Sequence, residues 1–372
     1  MNNRERVLAI LEGRSPDCLP WIPRLSLWYN AHRSAGTLPA RWVGRSLRDV
    51  ERDLGVGTPA RDGKVFAVVD DGVEVTRRRD GLRETTEWHT PAGTIRRVMR
   101  HLDDLDRLGL PARIEEYPLK GPADYRVWEW IWQHRRWVPT YEEYHAYDVE
   151  IGGDGLPMVS VGDVPLHEFL ENGAGYEHAF YQLADHETEV THLLEVMAEA
   201  ETERLWPVIA ESPGRLIAHG RHLSTQWTPP RLFRRFVLPY YARFTPLMRA
   251  HGKSTAMHAD NDTSAILELI EEAGWDMVEC FVTAPMVPVT LRRARQVWGT
   301  RVIIWGGLPS LLMSQIVAEG EFRDYVRDLL DVIAPGDAFI LGVADNAMPD
   351  SVIDRVAWVS ELLEERGGCP LR

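Results

Sequence analysis

The sequence places a histidine and an acid one residue apart, His258 and Asp260, directly after the small and apolar stretch STAM. In an extended strand, an i, i+2 pair projects to the same face. A neutral imidazole beside a carboxylate is common in ligand sets for Zn²⁺ or a similar divalent ion. Alternatively, the two side chains hydrogen-bond each other and Asp260 caps the following helix. The pair alone leaves both interpretations open.

Other polar side chains also stand at the ends of apolar runs. Glu279 lies near the end of the next run and Asp345 lies just past the last one, which strengthens the metal interpretation. The predicted catalytic residues are His219, Arg221, Asp163 and Glu279, and the metal and structural interpretations of His258 and Asp260 remain about equally open. HGRH (219–222) could supply a proton shuttle or an anion clamp, or it could simply satisfy a nearby acid and backbone groups. Cys280 has the opposite pleat direction from Glu279, which favours a core thiol.

The second half of the chain predicts a parallel sheet. Short apolar runs recur, separated by helical patterns such as 263–273 and 321–333, at 157–162, 215–219, 253–258, 277–282, 302–306 and 338–344. Buried strands that alternate with helices are typical of parallel sheets. With 20–25 and 65–69 the runs number eight, which favours a (β/α)8 TIM barrel, although periodicity alone allows an open doubly wound sheet. No GxGxxG or GxxxxGK[ST] motif is present.

A barrel would bring these polar residues together, because the C-terminal ends of its strands meet at one pocket. Arg24 would end the first strand and hold a substrate anion. The aromatic residues that could line the pocket, or else pack in the core, are Trp28, Tyr29, Trp227 and Trp305. In GGLP (306–309), the glycines predict a tight turn or a close backbone approach to a ligand.

The first half of the chain predicts elaborations of that barrel. Residues 64–100 contain short strands separated by turn residues, which indicates inserted β-hairpins. Residues 101–150 are rich in Trp and Tyr, and the apolar side chains within 125–145 would suit a lid or a partner surface, including one for a homo-oligomer. We expect one domain, 1–372, with 64–150 as its insertion.

Composition excludes several classes of protein. The formal net charge of −14, with no offsetting basic stripe, argues against nucleic-acid and anionic-membrane partners. The three cysteines are too scattered for a disulfide framework, and no stretch approaches the roughly 20 apolar residues of a membrane span. We therefore expect a cytoplasmic enzyme with a small-molecule substrate.

Nearly the whole chain resembles the uroporphyrinogen decarboxylase superfamily. The similar stretches are NRERVLAILEGRSPDCLPW, WYNAHRSAGTLPARW, MHADNDTSAILELIEEAGWDMVECF and AFILGVADNAMPDSVIDRV. The resemblance implies a (β/α)8 barrel. The decarboxylases of this superfamily use no cofactor and hold substrate carboxylates with two arginines; Arg33 matches the first of these, and Thr37 stands where the second belongs.

The other branch comprises zinc-dependent methyltransferases that act with corrinoid proteins and thiols. Here the resemblance matches His258 to the ligand histidine, and Asp260 and Asp345 to the two ligand cysteines. Zn²⁺ accepts carboxylates in place of thiolates, and such a harder site suits an oxygen-bearing substrate such as an alcohol, methoxy ether or carboxylate.

These observations predict a metal-dependent methyltransferase that uses Zn²⁺ or another divalent ion and transfers methyl to a corrinoid protein or another acceptor. The first alternative is a metal-free decarboxylase of a porphyrin-like or aromatic acid, with Arg33 and Arg24 on the carboxylates and Asp163 or His219 for protonation. The second is a non-catalytic ligand-binding barrel, which the density of ionisable groups at the strand ends disfavours.

Overall fold

The structure is a computed structural model that describes residues 1–366 and 368–371. Its α-helices, named α1 to α16 in chain order, are Asn3–Leu11, Ser26–Ala35, Leu47–Asp53, Asp103–Leu108, Pro122–His134, Tyr141–Ile151, Pro165–Glu168, Tyr176–Asp185, Glu187–Ala200, Trp206–Glu211, Pro230–Leu232, Leu238–Ala250, Leu267–Ala273, Leu291–Trp298, Glu319–Ile333 and Asp354–Arg366. Its strands, named β1 to β12, are Phe66–Asp70, Glu74–Asp80, Arg83–Thr90, Gly93–Arg100, Arg113–Glu116, Arg135–Pro139, Met158–Ser160, Leu216–Arg221, Ser254–His258, Met277–Phe281, Ile303–Pro309 and Phe339–Ala344.

The chain forms two compact units. The barrel unit consists of Met1–Gly63, Glu143–Val161 and Gly214–Arg372, and the second unit of Lys64–Glu142 and Gly162–Pro213. The second unit thus begins where the predicted insertion begins, but 143–150 belongs to the barrel unit and the second unit also includes 162–213. In the part of the chain that the structure describes, no helix is long and apolar enough to cross a membrane.

The barrel unit contains a parallel sheet whose edges are joined by two extended segments. The sheet has the order β12-β11-β10-β9-β8-β7, so all six predicted runs from 157 onward are confirmed as strands. At one edge, Trp21 bridges Leu341 of β12 in parallel, and the Trp21 carbonyl accepts from the Gly57 N–H at 2.9 Å. At the other edge, Gly63 bridges Val159 of β7. The ring of eight segments is the predicted (β/α)8 barrel.

One of the eight predicted runs forms a strand, but its predicted place in the barrel was wrong. Residues 65–69 do not enter the barrel, because β1 pairs antiparallel with β6 in the second unit and is mostly exposed. The segment 57–63, GTPARDG, takes the second position of the ring instead. The Met158 N–H donates to the Ala60 carbonyl at 2.8 Å, and the Gly63 N–H donates to the Met158 carbonyl at 3.1 Å. Its Gly and Pro content is typical of a loop, which hides the segment from pattern analysis.

The barrel interior is filled by side chains that alternate along the strands. The cluster, which includes two residues of α1, consists of Val7, Ile10, Ile22, Leu156, Met158, Leu216, Ala218, Ala256, Met277, Ile303, Trp305 and Ile340. Most of these residues stand early in their strands. The apolar plug therefore occupies the N-terminal side of the ring and leaves the C-terminal ends for polar side chains.

The second unit confirms the predicted hairpins. β2, β3, β4 and β5 form an antiparallel sheet in chain order. The expectation of an exposed apolar surface in 125–145 was wrong for its helical part, because Trp128, Ile131 and Trp132 of α5 are buried. The apolar face of α5 packs instead on α9 within the same unit.

Candidate active site

The centre of the site is His258, the last residue of β9. Its Nδ1 lies 2.6 Å from Oε2 of Glu279 on the neighbouring β10, and the two residues face each other in the strand register. Both side chains are buried. Because Nδ1 is held by a carboxylate, the other ring nitrogen, Nε2, is the one available for further chemistry.

Two more carboxylates approach that second nitrogen. His258 Nε2 lies 3.5 Å from Asp260 Oδ2 and 3.7 Å from Asp345 Oδ1. Asp260 also accepts hydrogen bonds of 3.0 Å from His222 Nδ1 and from Asn261 Nδ2. Burial would raise the pKa of Asp260, but His222 and His258 outweigh it and hold the pKa well below its usual range. The acids of two loops thus converge on one imidazole.

Two arginines complete the cluster. Arg24, which follows the Trp21 segment, pairs with Asp345. Arg61, in the segment 57–63, pairs with Glu279, and its Nη2 atom lies 3.4 Å from His258 Nδ1. The guanidinium groups of Arg24 and Arg61 also lie 3.7 and 3.9 Å from the Cys280 sulfur. Two cations therefore reach the same small volume from adjacent positions of the ring.

Cys280 enters the site because β10 bulges. The pairing of β10 with β11 shifts register between Val278 and Phe281, and Cys280 has a left-handed backbone with φ of 56°. A bulge breaks the strict alternation of side chains, so Glu279 and Cys280 both face the cluster. The expectation that Cys280 points away from Glu279 was wrong, although the residue is buried as expected. Cys280 Sγ lies 3.1 Å from Glu279 Oε1 and 3.3 Å from Asp345 Oδ1.

The electrostatics of the cluster are strongly coupled. Burial alone would lower the pKa of His258, but Cys280 and Glu279 outweigh it and raise the pKa well above its ordinary value. Burial would raise the pKa of Glu279, yet Arg61 and His258 hold it well below the usual range. Burial, followed by the charge of Glu279, raises the pKa of the Cys280 thiol to about 11. Within the cluster, Arg61 and His258 on one side and Glu279 on the other therefore stabilise each other's charged forms.

Two overlapping groups could hold a metal ion at this position, and they share His258. One consists of His258, Cys280 and Asp345, and the other of His222, His258 and Asp260; within each, the ligand atoms all lie within 4.8 Å of one another. The predicted ligands His258, Asp260 and Asp345 are thus divided between the two groups. Imidazole, thiolate and carboxylate are all ligands that Zn²⁺ takes in proteins.

Several predicted site residues have other surroundings. His219 is buried, with its ring nitrogens 2.7 Å from the Tyr241 hydroxyl and 3.3 Å from the Tyr240 hydroxyl. Asp163 belongs to the second unit, where it lies 3.3 Å from His167. Arg221 stands opposite His258 in the strand register and therefore lies beside the site.

Among the predicted substrate residues, Arg24 contacts the cluster directly. Trp28 is buried against Trp42, and the Arg33 guanidinium stacks 5.3 Å from the Tyr29 ring. Trp305 lies in the barrel plug. Trp227 is half-buried in the loop after β8, where its N–H donates to Ser224 Oγ at 3.2 Å.

Sequence reasoning missed Arg61 and the direction in which the Cys280 side chain points, whereas it included His222 within HGRH (219–222). Arg61 was hidden because its segment has the composition of a loop. His222 follows β8 with φ of 54°, next to a register shift between Ala218 and Arg221. The histidines of HGRH at a strand end were the signal that included His222, whereas the bulge that turns Cys280 inward left no signal in the pattern.

Comparisons with known proteins agree with the architecture. No curated protein matches the sequence. The fold is similar to the solved structure of a methyltransferase from Methanosarcina mazei, with a TM-score of 0.58 and 14% identity over 98% of this chain and 99% of that chain. The uroporphyrinogen decarboxylase (URO-D) family model matches residues 169–366, more than half of the 372 residues, and the chain belongs to that family.

Proposed function

We propose that this chain is a metal-dependent methyltransferase that acts on a small oxygen-bearing substrate, namely a methoxy compound, an alcohol or a carboxylate. A corrinoid protein or a similar carrier would accept the methyl group. Family membership and the fold shared with a methyltransferase support the class of enzyme. The observation that carries the proposal is the orientation of His258, whose Nδ1 binds Glu279 at 2.6 Å while Nε2 faces two further carboxylates.

The donors fit a divalent metal. Metal-ligating histidines usually donate their second ring N–H to a carboxylate, which fixes the tautomer and raises the basicity of the ligand nitrogen. Glu279 stands in that position, so it would orient His258 rather than bind the ion. We assign His258, Cys280 and Asp345 as the residues that would hold the metal, because this group offers Zn²⁺ a thiolate in addition to an imidazole and a carboxylate.

The bound ion would supply Lewis-acid polarisation of a substrate oxygen. The protein's own groups would do the remaining work. Arg24 and Arg61 would hold the metal-site carboxylates in place and bind an anionic part of the substrate, since guanidinium groups match carboxylates well. His222, half-buried and 3.0 Å from Asp260, would exchange protons with the departing oxygen.

A metal-free decarboxylase is the second candidate, favoured by one specific observation. Two guanidinium groups converge beside His258, and the raised pKa of His258 keeps a proton on it. A decarboxylase needs a cation to position a carboxylate and an acid to protonate the product. In such a decarboxylase, Arg24 and Arg61 would hold the substrate carboxylates. Arg33, which was expected in that role, stacks on Tyr29 at the surface of α2.

Metal analysis separates the two candidates. Protein purified without chelator should carry zinc or another divalent ion, and His258→Ala should lose one equivalent per chain. His251→Ala, which removes an exposed histidine after α12, is the matched control and should keep the wild-type content. Equal metal content in wild type and His258→Ala would refute the metal site.

Activity is then measured in two arms. Wild type is incubated with free cob(I)alamin and a panel of methoxy aromatics and simple alcohols, and methylcobalamin is followed by its absorbance. A panel of aromatic and porphyrin-like carboxylic acids is scored for CO₂ release before and after exhaustive chelation. Methylcobalamin formation that disappears on chelation supports the methyltransferase, and CO₂ release that survives chelation supports the decarboxylase.

A further inference from the structure

The second unit contains another group of ligand-type side chains that the barrel chemistry does not use. Asp163, His167 and Glu171 are spaced by four residues along the segment that begins before α7 and continues into a π turn at Phe169–Gly173. Residues four apart lie on the same side of a helical segment. Their ligand atoms, one from each side chain, all lie within 4.8 Å of one another.

The imidazole of this group is buried without hydrogen bonds. His167 is 0% exposed, and neither of its ring nitrogens has a hydrogen-bond partner among the described residues. Its Nδ1 lies 3.3 Å from Asp163 Oδ2, but the contact does not qualify as a hydrogen bond. The Oε2 atom of Glu171 is likewise buried, with no partner in the described part of the chain. Buried polar atoms without partners are uncommon and costly.

We propose that Asp163, His167 and Glu171 form a second divalent-cation site, of the zinc, cobalt or manganese class, within the second unit. One cation bound among them would satisfy the imidazole nitrogen and the buried carboxylate oxygen together. A neutral imidazole and two carboxylates also match the charge of a divalent ion. The ion would tie the loop before α7 to the π turn.

A simple ion pair between Asp163 and a protonated His167 accounts for less of the geometry. It would engage one ring nitrogen and leave the other, together with Glu171 Oε2, without a partner among the described residues. Glu171 is half-buried as a residue, so part of it is exposed to solvent although its Oε2 atom is buried. The aromatic ring of Tyr176, 5.9 Å from the His167 ring, covers another side.

Metal stoichiometry of the full chain tests this proposal independently of the barrel site. Each variant is stripped with chelator, dialysed against Co²⁺ alone, and assayed for bound cobalt and for its visible absorption spectrum. Wild type should bind two equivalents, His167→Gln one, His258→Ala one, and the double variant none. His178→Gln, which removes an exposed histidine on α8 in the same unit, should bind as wild type does.

Thermal melting of the same proteins gives a second readout. Cobalt should raise the Tm of His258→Ala, since ligands that bind only the folded state stabilise it, and this rise should disappear when His167→Gln is added. If His167→Gln does not fold, Glu171→Gln replaces it and should weaken the same binding step at least tenfold.

If His167→Gln or Glu171→Gln shows the same cobalt content and the same spectrum as wild type, the second site is refuted. Loss of an equivalent in His258→Ala alone would leave the proposed function standing and refute this inference. Loss of an equivalent in His167→Gln alone would support this inference and refute the metal site of the proposed function.

Discussion

Replacing Glu279 by glutamine tests the reasoning about the orientation of His258. The substitution Glu279→Gln keeps the size of the side chain and an acceptor oxygen but removes the charge that lies 2.6 Å from His258 Nδ1. Loss of a carboxylate behind a ligating histidine typically lowers metal affinity roughly 10–100-fold. At about 1.4 kcal/mol per factor of ten, the expected loss of binding free energy is about 1.4–2.8 kcal/mol.

The same substitution should destabilise the fold, because Arg61 loses its buried anionic partner. Breaking a buried pair on one side costs roughly 3–5 kcal/mol. The Arg61 side chain is 24% exposed, so solvent screens part of its charge and the lower end of that range, about 3 kcal/mol, is expected. Urea unfolding of the metal-free protein measures this value separately from metal affinity.

Affinity is measured by competition with a chromophoric zinc chelator, in a His167→Gln background so that one site is titrated. Glu272→Gln on α13, which changes an exposed glutamate, is the matched control and should bind zinc as the parent does. If the Glu279→Gln protein binds zinc within twofold of the parent, Glu279 does not orient the metal-binding nitrogen and the assignment of its role is wrong.

Three further outcomes are expected. Cys280→Ala should lower zinc affinity at least tenfold and Asp260→Asn less than threefold in the same competition; the reverse order would place the ion in the other group. Burial raises the pKa of Glu51 from 4.5 to about 7, so between these two pH values the native state binds a proton that the unfolded state has lost. The free energy of unfolding should therefore fall by about 3 kcal/mol as the pH rises from 4.5 to about 7. Glu51→Gln should abolish this fall in urea titrations, and a persisting fall would assign it to another group. Gly306→Ala should cost at least about 2 kcal/mol, because a Cβ there would lie 2.6 Å from the Phe281 backbone nitrogen at a φ of +142°; an unchanged Tm would contradict this.

The fold could be predicted largely because the buried strands β7 to β12 carry continuous apolar runs. The segment in the second position of the ring could not be predicted, because 57–63 has no apolar pattern and backbone hydrogen bonds to Met158 place it in the barrel. The run 65–69 has strong strand character, yet strand character does not determine the partner strand. The glycines of GGLP were expected to form a tight turn or to approach a ligand, whereas Gly306 lies against the backbone of the neighbouring strand at Phe281.

The sequence by itself determined which polar residues stand at the C-terminal ends of the strands, and so it located His258, Asp260, Glu279 and Asp345. Chain order and the period of two are local properties, and local patterns are enough for that. Only the tertiary structure decided which atoms meet. The bulge at Cys280 and the arrival of an arginine from a distant loop-like segment depend on neighbouring strands, whose contacts no single stretch of sequence encodes.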